Sequence, residues 1–298
     1  MLAGGVIEMV RIRHLKHPIW FGLKTSLLLM FFLEAVMANK FFLPSEWNSD
    51  QPLKVVLVGV GGNGSEVLDS LARMHFGLRA LEHPGLAVTT YDADDVSLAN
   101  IGRQRFAPGD VGTNKAIAIT NRFNLFFGLN WDAEPYFFEA DMVSDLDADL
   151  LITCVDKAKC RADIGLSANN GHSNRYRRQR TLWLDVGNDR IDGQAILGDL
   201  FPQGKELPNV FDLYGELTNA VEDTNTPSCS LAEAIQFQDL FVNKFAALGI
   251  GMIWTLLTKG ELEHHGYFFN SAACTMNPLL IDLQTWAFMG FEPKKAAA

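Results

Sequence analysis

The residues that could do chemistry begin with a glycine turn, Gly59-Val-Gly61-Gly62-Asn-Gly64, set in "VVLVGVGGNGSEVLDSLARMH". Glycines let the backbone take positive φ and come close to a phosphate. A helix that follows such a turn offers free N–H groups and the positive end of its dipole. Asp92 closes the next apolar run, where a ribose hydroxyl would be held. This much fits a dinucleotide that carries hydride and an ATP that is broken equally well.

The stretch "DADDVSLANIGRQRFAPGDVGTNKA" separates the two. Hydride transfer leaves the pyrophosphate intact and calls for no cations beside it. Splitting ATP develops charge on the phosphates, and fixed donors must meet that charge. Arg103, Arg105 and Lys115 can supply it, and Asn100 and Gln104 add neutral hydrogen bonds. The bland alternative is a pair of solvated loop arginines. Their setting, between an acid-ended strand and a helix start, speaks against it.

Strands and helices must alternate to position these groups. "KVVLVGV" is a continuous apolar run, as in a strand buried on both faces. Residues 63–80 are expected to be helical, with Val67, Leu68, Leu71 and Met74 on one face. "LAVTTYD", "EPYFFEA", "DLLITCVD" and "TLWLDVG" read as further strands, and "VGTNKAIAITNRFNLFF" and "CRADIGLSANNG" as helices. "DGQAILGDL" should return antiparallel, and "YFFNSAACTMNPLL" should add strands. The fold class is α/β: a Rossmann-like, mostly parallel sheet with helices on both faces, continued by antiparallel strands. Residues 201–229 lack periodicity and read as a long crossover loop, followed by a long buried helix over 231–258.

Composition narrows the class. The chain has 298 residues, 48% of them hydrophobic, which suffices for a sizeable core. The net charge of −10 disfavours nucleic acid as the main partner. No CxxC pair occurs, so no zinc is expected. Residues 1–52 read as an N-terminal extension and linker, and 53–298 as the catalytic domain. The run from Leu27 to Leu33 is too short to span a bilayer, so no membrane partner is expected. Three readings of the extension compete: a natural start at Met37, an amphipathic helix, or a targeting segment. ATP chemistry points to the cytoplasm. The basic "RYRRQR" reads as solvated or as a docking surface, His264 and His265 as surface, Cys154 as buried and inert, and Cys274 as core.

"GVGGNG", then "D…VSLANIGRQ…F…DVGTNKA", then "CVD", resembles the ThiF/MoeB/HesA family over residues 54–258. That family includes the activating enzymes of ubiquitin-like proteins. "NLFFGLNW" and "PSCSLAEAIQFQDLFVN" look closer still to the ThiF-like members of the plasmid-borne PRTRC system. The resemblance implies a ThiF-like fold and adenylation, with ATP and Mg²⁺ as cofactors. Asp92 would hold the ribose; Asn100, Arg103, Gln104 and Lys115 would grip the phosphates; Asp156 would hold Mg²⁺. It further implies a small ubiquitin-like substrate, a conjugating-enzyme-like partner and a homodimer. The family's usual N-terminal arginine motif is missing, and Arg11 and Arg13 are weak substitutes.

Adenylation makes a reactive acyl phosphate that is often passed to sulfur. Cys229 is the candidate: Ser230 and Glu233 form an S-x-x-E capping box, which would set the thiol beside a helix N-terminus. An unremarkable cysteine near a cap is the competing reading. For the whole chain four alternatives remain: adenylation of a sulfur carrier, a tRNA-modifying dehydratase, an NAD-dependent oxidoreductase, and a scaffold without catalysis.

Overall fold

The structure, a computed structural model, describes residues 40–48, 50–170, 180–202, 206–220 (side chains to 215) and 238–291. In chain order the strands are β1 (Phe41–Phe42), β2 (Leu53–Val58), β3 (Leu86–Tyr91), β4 (Asp132–Glu134), β5 (Leu150–Thr153), β6 (Leu182–Asn188), β7 (Asp192–Asp199), β8 (Glu261–Leu262), β9 (His264–Asn270) and β10 (Thr275–Leu280). The α-helices are α1 (Gly62–Ala80), α2 (Lys115–Phe127), α3 (Ala158–Asn170), α4 (Val210–Ala220), α5 (Val242–Ala247), α6 (Ile250–Lys259) and α7 (Leu283–Phe288).

Eight strands form one sheet in the order β10-β9-β7-β6-β5-β2-β3-β4. The run from β4 to β6 is parallel, and the pairs β6/β7, β7/β9 and β9/β10 are antiparallel. The expected fold class holds. Helices α1, α2, α5 and α6 pack as one group and α3 and α4 as another, which covers the two faces. Leu57, Leu68, Leu71, Ile152 and Trp183 are fully buried between the layers. The order reverses at β2, which pairs with β3 on one side and β5 on the other. In open α/β sheets the crevice beyond the strand ends at such a reversal is where ligands bind.

Several local expectations need correction. "EPYFFEA" is not a strand: β4 is Asp132–Glu134, and the aromatics after it fold over the strand ends, Tyr136 and Phe138 meeting Tyr91 edge-on. The stretch after 201 contains a helix, α4, with Asn209 accepting from Phe211 N and Asp212 N at its start. The expected long helix is broken within the described part: α5 ends at Ala247 and α6 starts at Ile250, with Gly249 facing the Ala195 side chain. His265 is fully buried rather than at the surface, and Cys274 is exposed in the β9–β10 turn rather than in the core. Arg180 is paired with Asp199 and Glu206, and the rest of "RYRRQR" lies outside the described residues. Arg11, Arg13 and residues 231–237 also lie outside them. Among the described residues no helix is long and apolar enough to cross a membrane.

Candidate nucleotide site

The crevice beyond the ends of β2, β3 and β5 is a cleft of ≈1470 Å³. Its nucleotide side starts from the glycine turn. Gly59 has φ +81°, and its Cα faces the Cys154 carbonyl so closely that a Cβ would lie 2.9 Å from that oxygen. At Gly64 a Cβ would meet Gly59 O at 1.8 Å. The turn can therefore fold back on α1 only with glycine at both places. No side chain caps α1 at Gly61, so its first N–H groups are left for a ligand.

Asp92 holds this turn in place. Its Oδ2 accepts from Val60 N at 2.8 Å and its Oδ1 from Asp94 N at 3.0 Å. Burial pushes the Asp92 carboxyl above the usual carboxylate range, and Lys115 and the two N–H groups oppose that shift. Both oxygens are thus engaged on the chain's own backbone, while the residue still lines the cleft. Asp94, exposed beside it, pairs through Oδ2 with Lys115 Nζ at 2.8 Å. Lys115 is buried at the first position of α2, behind the N-cap Asn114, which accepts from Ile117 N. Asn114 Nδ2 also donates to the Asp92 carbonyl, so the start of α2 is tied to the end of β3.

Asn100, Arg103 and Gln104 reach the same cleft. Asn100 Oδ1 accepts from Ser97 N and Oγ, which fixes the short turn that carries the arginine. Gln104 lies against Gly61, and its buried Oε1 has no partner among the described residues. Arg103 Nε is likewise buried without one, and Nη1 donates to Gln238 Oε1 at 2.5 Å. Burial lowers the Arg103 pKa, and the charge of Asp156 opposes this. Donors and acceptors left free in this way can be met by a ligand or by water. Arg105 does not join the cluster: its Nη2 pairs with Glu66 at 2.8 Å and Asp69 at 3.3 Å on α1, because its side chain turns back over the helix.

Asp156 follows β5 and stands exposed on the cleft wall. A single carboxylate beside a phosphate cradle fits Mg²⁺, which commonly takes one or two carboxylates plus phosphate oxygens and water. Beneath it lie two residues that the sequence reading missed. Arg161 on α3 and Asp185 on β6 form a buried pair, Nε to Oδ1 at 2.7 Å. The available signal was Asp185 itself, an acid inside the apolar strand "TLWLDVG". Gln238 and Asn243 also line the cleft; both fall in the stretch "PSCSLAEAIQFQDLFVN", where nothing in the spacing picks them out from their neighbours. Burial pushes the Cys160 thiol up to about 11 and raises Cys154 further, so neither is primed as a nucleophile. Cys229 lies outside the described residues.

The far side of the cleft is built from Gly187, Asp189, Gln194, Tyr214 and Phe268, on or beside the antiparallel strands and α4. The whole cleft exceeds the usual 300–1,000 Å³ of a small-molecule pocket. It has room for a nucleotide and the end of a second reactant.

The model of the ThiF family matches residues 48–281. Among curated proteins, ubiquitin-like modifier-activating enzyme 5 of Drosophila erecta is 29% identical over 162 residues, 49% of this chain and 35% of that protein. The enzyme of the same name from Caenorhabditis elegans is 24% identical over 170 residues, 52% and 36% of the two chains. The chain spans about a third of the length of these relatives. Among solved structures, selenomethionine PaaA matches with TM-score 0.53 at 14% identity, over 91% of this chain and 78% of that one. Escherichia coli MccB with MccA-N7isoASN matches with TM-score 0.51 at 16% identity, over 77% and 64%. At these identities the structural likeness is one of fold.

Proposed function

The chain belongs to the ThiF family, and from that premise we propose that it is an adenylyltransferase that activates the C-terminal carboxylate of a small ubiquitin-like protein. The observation that carries this reading is that Arg103, Lys115 and Asp156 line one cleft with Gly59, Gly61 and Gly62. A hydride-carrying cofactor would give Arg103 no developing charge to meet. The names of the curated relatives support a ubiquitin-like substrate.

In this reading ATP lies with its phosphates on the N–H groups of Gly61, Gly62 and Asn63 and its ribose at the Asp92–Asp94 edge. Asn100 and Gln104 fix the phosphates through neutral hydrogen bonds. The acceptor carboxylate enters from the far side and attacks the α-phosphorus; the bond to the β-phosphate oxygen breaks and pyrophosphate leaves. Arg103 and Lys115 meet the charge that grows on the departing oxygens. Asp156 would hold Mg²⁺, which when bound would neutralise phosphate charge. The Cys229 thiolate then attacks the acyl carbonyl of the adenylate, the bond to the AMP oxygen breaks and AMP leaves; the resulting thioester passes by exchange to a thiol of a conjugating-enzyme-like protein, which frees Cys229, as in the PRTRC-type cassette. The enzyme acts in the cytoplasm as a homodimer.

The test is ATP–pyrophosphate exchange with the candidate carrier present and absent. Carrier-dependent exchange supports the reading. Its absence with every carboxylate-tailed candidate, alongside a nicotinamide fluorescence change, would replace adenylation with hydride chemistry.

A further inference from the structure

The Arg161–Asp185 pair has a feature that simple cohesion between a helix and a strand does not need. The Arg161 guanidinium is divided between two acceptors: Nε donates to Asp185 Oδ1 at 2.7 Å, and Nη2 donates to the Val155 carbonyl at 2.6 Å. The same Asp185 Oδ1 accepts from Thr153 Oγ1 at 2.6 Å, and Thr153 Oγ1 in turn accepts from Trp183 Nε1 at 2.8 Å. One buried guanidinium–carboxylate unit therefore grips the chain on both sides of Cys154, at the point where β5 gives way to the loop that carries Asp156.

We propose that Arg161, backed by Asp185, is a positioning residue for Asp156. The Val155 carbonyl and the Asp156 N–H belong to one planar peptide unit. Holding that oxygen fixes the plane from which the Asp156 side chain departs. Asp156 is exposed, so its direction is set from behind, through its backbone. The pair is a poor choice for stability alone: Asp185 Oδ2 is buried without a partner among the described residues, and buried ion pairs often stabilise less than apolar packing. It is a good choice for a fixed geometry, because only the planar fork of arginine reaches two acceptors at a set angle. Gly187 leaves room for the fork, since a Cβ there would lie 3.0 Å from Arg161 Nη2.

The inference rests on the adenylation reading, in which Asp156 meets the metal. The test is calorimetric titration of the full chain with a non-hydrolysable ATP analogue, over a range of Mg²⁺ concentrations and in EDTA, with thermal melting alongside. Arg161→Lys keeps the charge and loses the fork. It should weaken apparent Mg²⁺ affinity by about tenfold, as loss of a group that orients a metal ligand does, while metal-free binding of the analogue stays at the wild-type level. It should add nothing further to Asp156→Asn. Gly187→Ala, which crowds the guanidinium without unpairing it, should show a smaller loss of the same kind, and it decides the matter if Arg161→Lys does not fold. Wild-type Mg²⁺ dependence in the variant, or equal losses with and without Mg²⁺, would overturn the positioning role. A wild-type chain that binds the analogue with no gain from Mg²⁺ would overturn the adenylation reading beneath it, and the proposal with it.

Discussion

Arg103 and Gln238 are 135 residues apart in sequence and joined by a hydrogen bond of 2.5 Å from Nη1 to Oε1. The cleft arginine of the N-terminal half is thereby held by a residue just before α5. Asn243, on α5, donates weakly to the Arg103 carbonyl at 3.5 Å. The cleft's polar cluster around Arg103 is thus braced from the C-terminal part of the chain, while its sequence motif lies in the N-terminal half.

Arg103→Ala should lower ATP–pyrophosphate exchange by about 10²–10³-fold, the usual cost of one preorganised donor at a developing charge. Circular dichroism and melting temperature should be unchanged. Gln238→Ala removes only the brace and should give a smaller loss, seen mainly in KM for ATP. Full exchange in Arg103→Ala would remove the cation from the chemistry.

Cys229→Ala should spare exchange and prevent any carrier adduct that reducing agent releases, read on non-reducing gels. The described cysteines in the cleft are poor substitutes, because burial holds Cys160 near 11 and Cys154 higher. An adduct that survives in Cys229→Ala would assign the thioester elsewhere or to no cysteine.

Gly64→Ala tests the cradle. Its new methyl would overlap Gly59 O, and relief requires the turn to move off α1. The expected cost is about 1–3 kcal/mol, typical of overpacking, with nucleotide binding lost. Gly109→Ala is the control: its Cβ would meet nothing within 4 Å, and the change should stay within about 0.5 kcal/mol. Equal melting temperatures for the two variants would contradict the close approach.

His265 gives a pH test of the C-terminal region. It is fully buried between the Leu197 carbonyl and Trp286, which donates from Nε1 to His265 Nε2 at 2.8 Å. Burial lowers its pKa from 6.5 to about 4. The unfolded chain therefore binds the extra proton first as pH falls. The contribution of the neutral imidazole is complete above about pH 6.5 and is lost between there and about 4, at up to about 1.4 kcal/mol per pH unit. His265→Gln should flatten that part of the stability–pH curve. An unchanged curve would show that His265 does not titrate there.

The parallel half of the fold was legible because short apolar runs and glycine turns are local signals, as "KVVLVGV" before Gly59 shows. The cleft residues Asn100, Arg103, Gln104 and Lys115 were legible because one loop and one helix start bring them together. Arg105 was misplaced because pairing with Glu66 depends on how that loop lies across α1. His265 was misjudged because strand alternation settles which side a residue faces only once its neighbours are known, and Cys274 because "YFFNSAACTMNPLL" gives no clear mark of the turn between its two strands. Arg161 was missed because its partners, Asp185 and the Val155 carbonyl, come from another strand and from the backbone.

The sheet changes from parallel to antiparallel between β6 and β7, and the change runs through the cleft. The glycine-turn side of the cleft stands on strands linked by crossover helices; the far side stands largely on the β6–β7 hairpin and on β9. Hairpin tips tolerate insertion and exchange far better than crossover turns do. In the proposed reading, side chains that meet the acceptor could be exchanged at these tips, whereas Gly59 and Gly64 in the cradle leave no room for any side chain at all.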